Sequence, residues 1–169
     1  MASESAVVSP FQHARHDHND CVQEALDAAE QVCTQRGVRL TKLRRRVLEL
    51  VWRSHQPQKA YDLLALLRDE NQRAAPPTVY RALEFLHDEG LIHRIESLNA
   101  FVGCGDPTRQ HGGQFLICRH CGAVAELGDK RINELLDDKA SELGFQVQRR
   151  TVELEGACPD CAGGDGSDS

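Results

Sequence analysis

The sequence predicts an α+β protein built from two unlike halves. Three observations carry that reading: four helical periodicities in succession between residues 22 and 90, two short β-runs directly after them, and two Cys-x-x-Cys pairs bracketing one further amphipathic helix. At 169 residues the chain has room for one domain or two small ones.

Residues 1–20 are polar, lack periodicity and hold His13, His16 and His18, the composition of a disordered tail. Val22, Ala25, Leu26, Ala29, Val32 and Cys33 then recur at helical spacing, and Gly37 stops the run. Thr41 suits the N-cap of a second helix with Leu43, Val47, Leu50 and Val51 on one face and Arg44, Arg45 and Arg46 off it. Beyond Pro57, the spacing of Ala60, Leu63, Leu64 and Leu67 predicts a third helix, and residues 72–75 a turn. The fourth helix opens near Pro77, where a missing N–H is tolerated, and closes at Gly90. Val79, Ala82, Leu83 and Leu86 share one side of it; Thr78, Arg81, Glu84 and Asp88 share the other. Leu91–Glu96, a Ser-Leu-Asn turn and Ala100–Gly103 read as a β-hairpin. Over residues 21–103 this is the outline of a winged helix-turn-helix, in which the last helix enters the major groove of DNA.

Residues 104–113 are polar and glycine-rich, a hinge in expectation. Gln114–Ile117 and Ala123–Leu127 flank the first cysteine pair as strands. Ile132, Leu135, Leu136, Ala140 and Leu143 make a helix ending at Gly144, and Phe145–Leu154 a further strand. Residues 163–169 form a second frayed tail. The domain at 114–162 is too small to bury a generous core, so it needs a metal, a dimer partner or both.

Net charge is −6, which by itself argues against a nucleic-acid partner. The distribution of that charge points the other way. Residues 36–94 carry 12 Lys and Arg against 7 acids, while the segments on either side are acidic. A basic module between acidic flanks fits a DNA-facing surface, although a solvated basic face has the same composition. No apolar run approaches the roughly 20 residues of a membrane helix, and residues 1–20 lack the layout of a secretory signal. The expectation is a cytoplasmic protein whose seven cysteines serve as metal ligands rather than disulfides.

Cys118-x-x-Cys121-Gly122 and Cys158-x-x-Cys161 carry the strongest chemistry. Two residues between cysteines let both thiolates of a turn face one ion, and two such turns complete the tetrahedral S4 arrangement of structural zinc. Binding of that kind is worth about 10–16 kcal/mol in zinc-finger peptides, enough to offset a small core. A subtler set is His93, Cys104, His111 and Glu126. Each has an ordinary reading, as a wing surface residue, a small buried thiol, a loop residue and a solvated strand charge. Each also lies at a strand end or between the two halves, a placement from which they can converge at the hinge. One thiolate, two imidazoles and one carboxylate suit tetrahedral zinc better than a hard oxygen-seeking ion. His13, His16, His18 and Cys21 form a third possible cluster. His87-Asp88-Glu89 ahead of Cys118-x-x-Cys121 imitates a zinc deaminase, but residue 117 is Ile where that pattern needs Pro.

Val38-Arg39-Leu40-Thr41, Ala60-Tyr61-Asp62-Leu63-Leu64, Pro76 through Leu83 and Phe115-x-x-Cys118-x-x-Cys121-Gly122 resemble the ferric uptake regulator family, its zinc-sensing branch in particular, over residues 22–161. The resemblance implies a homodimeric repressor with a C-terminal dimerisation domain and two Zn2+ per chain. It implies structural zinc at Cys118, Cys121, Cys158 and Cys161, and regulatory zinc at His93, Cys104, His111 and Glu126. Tyr80 and Arg81 match recognition-helix residues and Tyr61 a contact on the third helix; Thr78 and Arg44 join them as expected DNA contacts. The implied partners are a palindromic double-stranded operator of zinc-uptake genes and a second copy of the chain. No enzymatic activity, membrane or small-molecule substrate is implied. Iron-sensing members carry a histidine-rich run near His111, where this chain has Gln110-His111-Gly112-Gly113. Lys42 and Leu43 also depart from the family's usual Pro-Gln after Thr41.

Overall fold

The computed structural model describes residues 6–12, 18–54, 56–70, 74–109 and 113–163. The chain divides into two units, residues 12–109 and a second made of residues 1–11 together with 110–169.

The first unit runs α1 (His18–Arg36), α2 (Lys42–Trp52), α3 (Ala60–Asp69) and α4 (Pro76–Asp88), then the two-stranded wing of β2 (Ile92–Ile95) and β3 (Ala100–Gly103). Helix α2 starts where Thr41 caps it, the hydroxyl accepting the Arg44 amide at 3.4 Å. The apolar periodicities meet in one core, in which Val47, Leu63, Leu67, Val79, Leu86 and Ile92 are at most 1% exposed. Gly90 ends α4 at φ +69°, the left-handed conformation that lets its amide reach back to the His87 carbonyl at 3.0 Å. The wing pairs in register from Ile92↔Gly103 to Ile95↔Ala100. Its root is fixed twice. Gln58, ahead of α3, exchanges two 2.8 Å backbone hydrogen bonds with Phe101. Trp52 lies so close to Gly103 that a Cβ there would stand 2.1 Å from the indole.

Ion pairs use up much of the basic surface of this unit. Arg36 bridges to Glu89 at 3.1 Å, Arg45 pairs with Glu30, and Arg46 joins Glu49 and Glu70. The Arg46 guanidinium, donating through Nε at 2.9 Å, holds the Glu70 carboxyl below its usual range.

The second unit is a four-stranded sheet in the order β1-β5-β4-β6, with β1 (Val7–Ser9), β4 (Gln114–Cys118), β5 (Val124–Leu127) and β6 (Val152–Gly156). Helix α5 (Lys130–Glu142) is the crossover between β5 and β6, and the one-turn α6 (Pro159–Ala162) follows. β5 runs antiparallel to β4, whereas β6 runs parallel to it. Asp129 caps α5, accepting the Arg131 amide at 2.9 Å. The fully buried Gln114 ties β4 to that cap, donating from Nε2 to the Asp129 carbonyl at 2.8 Å and to Asn133 Oδ1 at 3.0 Å.

Two expectations are corrected. The polar segment 1–20 is not tail throughout: Val7–Ser9 pair with β5, and α1 already begins at His18. The last strand occupies Val152–Gly156 rather than Phe145–Leu154, because its parallel register with β4 begins at Gln114↔Val152 and, among the described residues, no strand pairs with those before Val152. Phe145 is left 65% exposed.

Candidate metal centres and nucleic-acid interface

Parallel pairing of β4 with β6 assembles the cysteine cluster. In register Cys118↔Gly156 both strands finish at the same edge of the sheet, so both cysteine pairs start there. The first pair is a tight turn: the Gly122 amide returns to the Cys118 carbonyl at 3.0 Å, with Gly122 at φ +75°, where a Cβ is disfavoured. The second pair is the single turn of α6, closed by Ala162 N–H to the Cys158 carbonyl at 2.8 Å.

All four sulfurs lie within 4.8 Å of one another. Cys121 and Cys158 Sγ are 3.7 Å apart, too far for a disulfide and close to the ~3.8 Å between two sulfurs each ~2.3 Å from a tetrahedral zinc. The donor set and spacing therefore fit structural zinc. Backbone amides of Cys121 and Cys158 donate to the Cys118 sulfur, the latter at 3.3 Å, and hold its pKa down to about 5. Hydrogen bonding with Cys158, then burial, push the Cys161 thiol up to about 12. One thiolate is preformed and another ligand must shed its proton to bind metal.

The second predicted set divides between the two units. His93, half-buried on β2, and Cys104, buried just past β3, offer a ring nitrogen and a sulfur within 4.8 Å of each other. The Cys104 amide donates to the Leu91 carbonyl at 3.1 Å, which fixes the thiol beside the root of the wing. Glu126 lies on β5 of the other unit and is only 3% exposed. A carboxylate that deep is retained where a cation or hydrogen bonds compensate it. His111 lies outside the described residues, as do His13 and His16; the side chain of His18 does too, so the tail cluster has only Cys21 within them.

The expected DNA contacts fall into two groups. Tyr61 on α3 is 76% exposed and Tyr80 on α4 59% exposed, with Thr78 and Arg81 also open on α4. Among the described residues Arg81 has no ion-pair partner, so it stands free for a ligand. Arg44 is placed differently. Its guanidinium sits over the Phe85 ring, 3.6 Å from the centroid, and Nη1 donates to the Arg39 carbonyl at 2.7 Å. Helix α5 has no buried residue, and Leu135 and Leu136 on it, Leu143 at its end and Leu154 on β6 are all more than 40% exposed, apolar surface uncovered in a single chain. No helix among the described residues is long and apolar enough to cross a membrane.

Comparison with known proteins follows the same lines. A model of the ferric uptake regulator family matches residues 35–155. The zinc uptake regulation protein of Escherichia coli (strain K12) is 42% identical over 142 residues, 82% of each chain. A solved zinc uptake regulator complexed with zinc and DNA superposes with a TM-score of 0.80 at 40% identity, covering 84% of this chain and 95% of that one. The crystal structure of holo XcZur gives a TM-score of 0.78 at 45% identity over 83% of this chain and 98% of that one. On a family match through most of its length and a fold shared with close relatives, the chain belongs to the ferric uptake regulator family and is a transcription regulator, not an enzyme.

Proposed function

We propose that the chain is a zinc-responsive repressor that binds two Zn2+ per chain and acts in the cytoplasm as a homodimer on a palindromic operator of zinc-uptake genes. Cys118, Cys121, Cys158 and Cys161 hold the structural ion, and His93, Cys104, His111 and Glu126 the regulatory one. The observation that carries the regulatory site is the imidazole–thiol pair of His93 and Cys104. Zinc ligands of those two types sit about 3.6 Å apart, within a small adjustment of what the pair offers.

When bound, the regulatory zinc would supply a positive charge that the imidazole, thiolate and carboxylate donors of the chain gather around. The residues of the chain do the rest. His93 and Cys104 belong to the wing, and Glu126 belongs to the domain whose exposed leucines meet the second copy. Drawing these side chains together restricts the orientation of each winged helix, so two recognition helices reach successive major grooves. Arg81 reads a purine edge, flanked by Tyr80 and Thr78, while Tyr61 fixes the register. An orientation ordered in advance removes a conformational penalty from DNA binding, so zinc and operator strengthen each other by the same factor. The zinc uptake regulator solved with zinc and DNA supports this reading.

The test is Cys104→Ser in a mobility-shift assay with an inverted-repeat duplex and metal content measured alongside. Zinc-saturated wild type retards the duplex, whereas the variant retains one zinc per chain and fails to retard it. Equal retardation by the variant would overturn the regulatory role.

A further inference from the structure

A cleft of about 290 Å3 opens between the start of α3, helix α4 and the turn of the wing. It is lined by the apolar Ala60, Leu98 and Phe101, by Tyr61 and Tyr80, and by two cations, Lys59 and Arg94. Arg36, Arg45 and Arg46 of this unit are held by carboxylates at shorter range, and Arg44 by a ring and a carbonyl. Lys59 is exposed and, among the described residues, has no ion-pair partner. Arg94 is exposed and oriented: Nη2 donates to Asn99 Oδ1 at 2.9 Å across the wing turn, where Asn99 takes the left-handed φ of +46°. Its Nε pairs with Glu96 at 3.5 Å, as Arg53 does with Glu49, which leaves the outer face of the guanidinium able to take a further acceptor.

We propose that this cleft seats one sugar-phosphate of the duplex backbone, with Lys59 and Arg94 as its phosphate ligands. The proposal rests on the DNA-binding reading above and extends it to two residues beyond the recognition helix. The chemistry suits a backbone unit better than a base. The lining combines two cations for a phosphate, two phenol hydroxyls as further donors, and apolar side chains that fit a deoxyribose. A bare anion would leave much of the volume unfilled. Such a contact carries no sequence information; it clamps the strand between wing and recognition helix and sets the register at which Arg81 meets base edges.

The experiment measures affinity of the zinc-loaded full chain for the inverted-repeat duplex and for an unrelated duplex across a range of salt concentrations. Lys59→Gln and Arg94→Gln are each expected to lower the slope of log K against log salt by about 0.9, the value for one lost phosphate contact. Both duplexes weaken by the same factor. Arg94→Lys restores the slope, which a merely structural role in the wing turn would not allow. Unchanged slopes in both glutamine variants, with wild type still binding duplex, overturn the phosphate seat alone. Failure of zinc-loaded wild type to bind either duplex overturns the DNA-binding reading and this inference together.

Discussion

The Arg44 guanidinium stacks over the Phe85 ring at 3.6 Å while donating to the Arg39 carbonyl at 2.7 Å, joining α2 to α4. Arg44, expected among the DNA contacts, is in this structure engaged within the winged helix. Arg44→Ala is expected to lower stability by about 1–2 kcal/mol through the lost cation–π and hydrogen-bond contacts. Arg81→Ala is expected to leave stability unchanged and weaken operator binding by about 1–3 kcal/mol. Denaturant unfolding and duplex anisotropy on both variants check the contrast; equal stability of the two would assign Arg44 to the DNA-facing set.

The cysteine cluster adds to the small core of the second unit, in which Phe115, Ile117 and Ala125 are buried. Cys118→Ser breaks the site at its most buried thiolate and is expected to remove one zinc per chain and most of that unit's tertiary structure, since about 10–16 kcal/mol of metal binding is folding energy in such modules. Near-UV circular dichroism with metal analysis reads this out. A variant that loses its zinc and keeps its unfolding midpoint would contradict it.

The thiol pKa values set the pH dependence of that site. In the metal-free cluster Cys118, at about 5, is already a thiolate near neutrality, while Cys161, at about 12, is protonated and must release its proton to bind. Acidification therefore opposes binding. Zinc affinity is expected to fall by at least about tenfold per pH unit from pH 8 to 6, with Cys118 adding to the loss only near its own pKa and below. Competition against a chromophoric chelator measures it, and a flat profile would contradict the assignment.

The exposed leucines predict the assembly. Placing charges at the exposed Leu135 and Leu154, as Leu135→Asp with Leu154→Asp, is expected to raise the dimer dissociation constant by at least about 100-fold. Sedimentation velocity separates the species. An unaltered dimer would mean that this surface is not the interface.

Local chemistry made most of the fold legible. Apolar spacing marked α2, α3 and α4, Thr41 and Gly90 marked ends, and the paired cysteines marked the metal cluster, because each signal lies within a few residues of what it specifies. What escaped depends on partners distant in sequence. Val7–Ser9 is too short to show alternation and becomes a strand only because β5 offers an edge some 120 residues later. The start of β6 follows from β4 and not from the β-prone residues around Phe145. The same distance hid the roles of the arginines: Glu30, Glu70 and Phe85 are 15 to 41 positions from the residues they engage.

The central claim, that a second zinc switches DNA binding, is tested most directly by titrating zinc into protein that holds one ion per chain, in the presence of a fluorescent inverted-repeat duplex. The account predicts weak binding at the start and a steep rise in duplex affinity as the second equivalent is taken up. Affinity that ignores the second equivalent would contradict it and leave a constitutive DNA binder.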